Sequence, residues 1–229
     1  MLRLTRFLIP VAASCLLTVA GGMLDAWVYL EHGHVFANAQ TGNVVLFAIK
    51  LAAGDTAGAL RHIPSITAFI VGLLLSRVLA TVLKRSGVNS RTIRLSAECV
   101  LLVALAAVAG RLPDHAVTAC VGFIAAVQIT TVSHIGSWSF NTGMTTGNLR
   151  SAVSAFVKAL FDPRSKPDWL HVLALGCVCT AFPIGAVSGG FLAPSWHGMT
   201  LLAIAGLVLA ATLVSLGSPD PFSLDDAGR

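Results

Sequence analysis

Two copies of one tripeptide, Thr41-Gly42-Asn43 and Thr146-Gly147-Asn148, are the residues of this chain best suited to holding a polar solute. Each copy follows a long apolar segment and a polar stretch containing Phe and Asn, and each opens a short apolar run. A helix that begins at such a point presents unpaired N–H groups and a partial positive charge. A Thr hydroxyl can cap those groups, glycine admits a ligand or another backbone at close range, and an Asn amide both donates and accepts. Two helix starts aimed at one point would make a site for an anion or a polar neutral solute.

Other polar residues could join them. Asp25 lies in the outer part of the first apolar segment, just after Gly21 and Gly22. A carboxylate is costly there, so it is a functional candidate by default, here as the coupling group for a proton or cation. The matching region of the second half holds Gln128, Thr130 and Thr131 and no charge, so coupling would be asymmetric. Arg150, one turn after Asn148, could hold an anionic substrate, pair with Asp25, or snorkel to the surface. The candidate substrate-binding set is therefore Thr41, Gly42, Asn43, Thr146, Gly147, Asn148, Gln128 and Arg150, with Asp25 for coupling. Arg77 and Glu98 fall at similar depth on consecutive antiparallel segments, which predicts a structural ion pair.

The elements that must position these residues are membrane helices. Only 11% of the residues are charged and 55% are hydrophobic, against about 25% charged in soluble domains. Mean hydropathy is +0.82. The net charge of +5 sits between apolar segments, where topology signals belong, and does not point to nucleic acid. The five cysteines, Cys15, Cys99, Cys120, Cys177 and Cys179, all lie within apolar runs and read as packing residues. Glu31, His32 and His34 form too short a cluster to specify a metal, and none is assigned. No Walker loop, zinc-protease motif or dinucleotide fingerprint occurs, so no cofactor is expected. A membrane-embedded enzyme would need a paired acid and base, for which only Asp25 and its neighbouring histidines are available, and the chain is read as non-enzymatic.

Long apolar runs cover Phe7–Leu30, Ile63–Leu83, Leu95–Gly110, Ala116–Ile135, Leu170–Gly190 and Met199–Leu216. The run after Arg3 and Arg6 continues past the core of a signal peptide, so it is read as a transmembrane helix. Two shorter runs, Thr41–Ala53 and Thr146–Leu160, would reach only ~20 Å and fall short of a ~30 Å layer. If all of them crossed, the most basic loop (Lys84, Arg85, Arg91, Arg94) would fall outside, against the positive-inside rule. Re-entrant short runs put that loop and the linker with Arg164 and Lys166 inside, with both termini cytoplasmic; Arg61 dissents. The expected fold is thus an all-α membrane protein of six transmembrane helices plus two short re-entrant half-helices, an inverted 3+3 internal repeat. It forms a single membrane domain over 1–217, with repeat one at about 7–110 and repeat two at about 116–216, before a disordered tail at 218–229. Aligning Phe36 with Phe140 requires one insertion between the halves. Pro183 should kink its helix, and Gly185 and Gly189 should let another helix approach closely.

The stretch Gly22-Met23-Leu24-Asp25-Ala26, followed by Val35-Phe36 and Thr41-Gly42-Asn43-Val44, resembles the signature of the YoaK family of bacterial inner-membrane proteins, a family of unknown function. The resemblance extends over most of the chain. It implies a multi-pass inner-membrane location and marks Asp25, Thr41, Gly42 and Asn43 as pattern residues without known roles.

The function expected from the residues is secondary transport of a small polar or anionic solute. Its site would lie between the two half-helices, with alternating access by rocking one set of spans against the other. A channel of the same architecture and a non-transporting membrane scaffold are the alternatives. The expected partners are the lipid bilayer and the solute, with a homo-oligomer left open by the Gly185/Gly189 face.

Overall fold

A computed structural model describes residues 2–86, 89–135, 138–161 and 169–216, with side chains from Leu8 onward. The linker at 162–168 and the tail from 218, which carried topology and disorder expectations, lie outside the described residues. The chain runs α1 (Leu2–Glu31), α2 (Gln40–Ala52), α3 (Thr56–Leu60), α4 (Ile63–Arg85), α5 (Ser90–Val108) and α6 (Asp114–Thr131). A small antiparallel hairpin follows, β1 (His134–Ile135) with β2 (Trp138–Ser139), pairing His134 with Ser139. The remainder is α7 (Thr145–Phe161), α8 (Trp169–Trp196) and α9 (Thr200–Leu216).

Helix ends are set by local chemistry. Gly33 (φ +76°) and His34 (φ +60°) turn the chain out of α1. Asp55 caps α3 by accepting from Gly58 N at 2.8 Å, and Lys50 pairs with its other oxygen at 3.4 Å. The Gly58 amide and then Lys50 hold the Asp55 carboxyl below its ordinary value. Asn89 caps α5 through Arg91 N and Thr92 N. Pro64 starts α4 and Pro113 precedes α6, where the missing proline N–H costs nothing. Pro183 lies inside α8 without ending it.

Four helical stretches among the described residues are long and apolar enough to cross a membrane: Leu8–Glu31, Thr56–Arg85, Ser90–Arg111 and Trp169–Leu216, the last containing α8 and α9. The apolar window of α1 is 67% buried inside the protein and that of the second stretch only 11%, so α1 is central and α4 peripheral. The exposed side chains of α4 include Ile70, Val71, Leu74, Leu75, Val78, Leu79 and Val82, an apolar face suited to lipid.

Helix pairing centres on α1, which packs against α8 and α9 and touches α6. Beyond it α4 packs on α6, α5 on both α6 and α9, α2 on α4, and α7 on α8. The two tightest pairs depend on glycine. In α1–α8, a Cβ at Gly22 would collide with Phe182 O, one at Gly185 with Val19 O, and one at Gly189 would lie 2.6 Å from Met23 O. The Gly185 and Gly189 spacing thus does admit a neighbouring helix, and that helix is α1. In α4–α6, a Cβ at Gly72 would lie 2.9 Å from Phe123 O and one at Gly122 2.6 Å from Ser65 O. Such contact lets backbones meet where no hydrophobic drive between helices exists.

Candidate functional site

The loops that precede α2 and α7 are built alike. Asn43 Oδ1 accepts from Phe36 N (2.9 Å) and its Nδ2 donates to Phe36 O (2.8 Å). Asn148 Oδ1 accepts from Asn141 N (2.8 Å) and its Nδ2 donates to Asn141 O (2.6 Å). In each case a buried Asn in the first turn of a short helix clamps both backbone groups of the residue seven positions upstream. The clamps are in register without an insertion, which corrects the alignment of Phe36 with Phe140: the counterpart of Phe36 is Asn141. Backbone that leaves helical geometry in a bilayer must have its polar groups satisfied by protein, and the clamps do this. Gln40 Oε1 accepts from Asn43 Nδ2 (2.9 Å), and Ser65 Oγ donates to Phe36 O (2.9 Å), tying the first loop to α4.

The first loop also leans on α1. Asp25 Oδ1 accepts from Ala37 N (2.8 Å) and Asn38 N (2.7 Å). The chain therefore folds back about six residues, ~9 Å, inside the end of α1 at Glu31. Asn38 Nδ2 donates to Gly21 O (3.1 Å). The second loop reaches the same place, since a Cβ at Gly21 would lie 2.8 Å from Thr142 O and one at Gly143 would overlap Asn38 Oδ1. The two loops thus touch each other over Gly21.

Beside this crossing lies a cavity of about 770 Å³. Asp25, Thr41 and Gly42 line it from one side, Thr145 and Thr146 from the other, and Tyr29, Phe36 and Phe182 supply rings. Asp25 is 5% exposed, and its Oδ1 takes the Ala37 and Asn38 amides while the Ala39 amide also lies against the carboxylate. Ala39, the residue before α2, makes no side-chain cap bond; Thr41 lies inside the first turn and does not cap it.

The sequence-derived set divides accordingly. Asp25, Thr41, Gly42 and Thr146 meet at the cavity, while Asn43, Gly147, Asn148, Gln128 and Arg150 are off its wall. Gln128 is buried and donates to Leu17 O at 2.7 Å, joining α6 to α1. Arg150 is exposed, and Gly147 faces open space. The expected Arg77–Glu98 ion pair is not formed: Arg77 is exposed, whereas Glu98 is fully buried with neither carboxylate oxygen hydrogen-bonded. Similar depth does not bring the two together, because Arg77 lies on an exposed part of α4 while Glu98 is buried. Of the Glu31–His34 cluster, Glu31 meets His197 (2.8 Å), His32 meets Asp114 (2.9 Å) and His34 Nδ1 meets Tyr29 O (3.0 Å). Their partners lie apart, and the described residues contain no group of three or more suitable metal ligands. Tyr29, Thr145, Phe182 and Ala186 were not foreseen as wall residues; only the small, close-packing residues of the 182–189 stretch hinted at the last two.

Long apolar helices, lipid-suited outer faces and irregular backbone satisfied only in the interior define a multi-pass α-helical membrane protein. The chain belongs to the DUF1275 family of proteins of unknown function, whose family model matches residues 13–215. It is similar to UPF0700 transmembrane protein YoaK of Bacillus subtilis (strain 168), with 21% identity over 207 residues, covering 86% of this chain and 92% of that protein. No solved structure matches it.

Proposed function

We propose that the protein is a secondary transporter of a small polar solute, bound in the cavity beside the loop crossing. The observation that carries this reading is that the first turns of both α2 and α7 open onto one cavity of about 770 Å³, within the usual size range of ligand sites. The crossing over Gly21 falls near the middle of the Leu8–Glu31 stretch, the depth at which repeat transporters bind their solutes.

In this reading α1, α4, α5, α6, α8 and α9 are the six spans, and α2 and α7 are half-helices. Exchanging α1, α2, α4, α5 with α6, α7, α8, α9 maps the observed contacts onto one another. The α1–α8 pair becomes α6–α4, α1–α9 becomes α6–α5, α2–α4 becomes α7–α8, and α5–α9 returns itself. The duplicated Asn clamps follow the same exchange. Three spans per half make the repeat inverted and put both termini and the basic α4–α5 turn on the cytoplasmic side of a bacterial inner membrane.

Single cysteines at Thr41 and Thr146, in a background without the five native cysteines, test this in oriented vesicles. A cavity with alternating access lets an impermeant maleimide reach each site from either face under different loading conditions. Labelling from one face only under every condition would refute transport by alternating access. Labelling of a cysteine at Ser90 from the periplasmic face would refute the six-span topology.

A further inference from the structure

Glu98, in the middle of α5, is a carboxyl that neither the loop clamps nor the cavity uses. It is fully buried, and neither of its oxygens meets a donor among the described residues. Hydrogen bonds to either side fix its surroundings. Cys99 Sγ donates to Ala205 O (3.6 Å) and Arg91 Nη2 to Ser215 O (3.3 Å), which lays α5 antiparallel on α9. Arg94 Nη1 donates to Thr130 O (3.1 Å), which lays the start of α5 on the end of α6. No element packed against α5 brings Glu98 a buried charge. α9 has no titratable side chain. On α6, Asp114, His115 and Cys120 are exposed and lie toward its start. On α4, Arg77, Lys84 and Arg85 are exposed, as are Arg111 in the turn after α5 and His197 in the turn before α9.

α5 itself carries Cys99 beside Glu98, Arg91 two turns before it and Arg94 one turn before it. Arg94 is buried as well, and its partners among the described residues are all neutral oxygens: Ser90 O and Ser76 Oγ, both at 3.3 Å, and Thr130 O. Its guanidinium sits where α4 meets α6, at the 2.6 Å contact of Ser76 Oγ with Thr130 Oγ1. A buried acid without a partner and a buried cation without an acid therefore lie four residues apart on one face of α5, a spacing that puts Cβ atoms about 6 Å apart.

An ionised carboxylate at Glu98 would lack every contact that makes a buried charge tolerable, and ionisable groups inside membrane spans mark proton paths. We infer that Glu98 is a proton-binding site whose proton is exchanged for Arg94. In this conformation the carboxyl keeps its proton, and Arg94 ties α5 to α4 through Ser76 and to α6 through Thr130. When the proton passes to water, the carboxylate draws the Arg94 guanidinium to itself by a change of rotamer, and both ties are released. Glu98 is sealed here, so that transfer belongs to a second conformation, and the ties it releases hold the α4–α6 pair to α5. Under the transporter reading, on which this last step rests, Glu98 couples proton movement to the rocking of the spans, in place of Asp25, whose carboxylate is held by loop amides.

The test uses the full-length protein in vesicles of phosphatidylethanolamine and phosphatidylglycerol. The infrared difference between the unaltered protein and Glu98→Gln, which keeps the size of the acid without a group that ionises, isolates this one carboxyl. The C=O stretch of an unbonded, protonated carboxylic acid is expected at neutral pH, and it should be lost as pH rises, together with a change in the guanidinium bands. Arg94→Gln removes the cation that replaces the proton and should move the loss up by about one to two pH units, the worth of one hydrogen bond to a charged group. Ser76→Ala weakens the tie that competes for Arg94 and should move it down by about half a pH unit, which decides the matter where Arg94→Gln does not fold. Absence of the band at neutral pH, or a band unchanged wherever the protein stays folded, overturns the proton site. Midpoints that stay put in the variants overturn the exchange with Arg94. Coupling is read separately, from maleimide labelling of Thr41→Cys and Thr146→Cys in a background without native cysteines. The ratio of labelling from the two faces should change with pH, by up to about tenfold per pH unit for one proton, and Glu98→Gln should abolish that change. Labelling from both faces that ignores pH, or that shifts equally in Glu98→Gln, overturns the coupling and leaves the transporter reading standing. Labelling from one face only removes the transporter reading, and the infrared result still decides the proton site.

Discussion

Replacing Asn43 with alanine separates a clamp from a ligand contact, because the clamp must matter in the empty protein. The side chain makes four hydrogen bonds, with Phe36 N, Phe36 O and Gln40 Oε1 at 2.9, 2.8 and 2.9 Å and with His62 Nδ1 at 3.4 Å. At about 0.6 kcal/mol for an average side-chain hydrogen bond inside a membrane protein, their loss comes to ~2 kcal/mol. Phe36 O would keep Ser65 Oγ as a donor. Phe36 N–H would keep no acceptor, and an unsatisfied buried donor costs about 1–3 kcal/mol. Asn43→Ala is therefore expected to destabilise the protein by ~2–5 kcal/mol, depending on how far the loop relaxes. Asn148→Ala strips both backbone groups of Asn141 and should cost a similar amount. The assay is reversible unfolding in mixed micelles without added solute, with Thr41→Ala and Thr146→Ala as exposed controls expected within about 0.5 kcal/mol of the unaltered protein. If Asn43→Ala unfolds within that same margin, the clamp carries no stability and the polar accounting of the loop is wrong.

Further predictions come from the same structure. Gly22→Ala should destabilise by about 1–3 kcal/mol because the new methyl meets the rigid backbone of α8, whereas Gly190→Ala, with open space around it, should stabilise by about 0.5–1 kcal/mol in the same unfolding assay. A double-mutant cycle of Arg77→Ala and Glu98→Gln should give a coupling below about 0.5 kcal/mol, and a larger coupling would restore the ion pair. The carboxyl of Asp55 titrates below its ordinary value of 3.8, so its cap on α3 contributes in full above that value and is lost as pH falls through the lower folded one. Hydrogen exchange at the Gly58 amide should accelerate over that range, and Asp55→Ala should show fast exchange at every pH.

Segment positions were legible in the sequence because they depend on composition alone. The apolar runs correspond to α1, α4, α5, α6, α8 and α9, and the short runs to α2 and α7. Of the duplicated tripeptide, Thr41, Gly42 and Thr146 line the cavity, since helix starts carry a local signature. What each residue does there was less legible. Asn43 and Asn148 look like ligand contacts when read one at a time, but their partners lie seven residues upstream in loops whose path depends on tertiary contact. Arg77 and Glu98 show the same limit: spacing along a helix fixes depth, whereas facing direction depends on which neighbour the helix chooses. The α3 turn was missed although Asp55 followed by Thr56 is a cap signal, because five residues give no apolar period to detect.

The two loops share a clamp and differ in what holds them to the body. The first is fastened to α1 through the Asp25 carboxylate, by the amides of Ala37 and Asn38. In the second the amide of Gly143 is taken by Asn141 Oδ1, a side chain of the loop itself. One wall of the cavity is thus bound to the central helix, and the other carries its polar satisfaction within itself. Asp25 sets the path of the loop into α2 and also lines the cavity. A charge that the fold already needs for its own backbone is a low-cost place from which to build recognition, because its burial is offset by loop amides whether or not a solute is present. The second half carries no such carboxylate in its matching region, where Gln128 donates to Leu17 O instead. Under the transporter reading, the first loop would move with α1 and the second with α7 and α8.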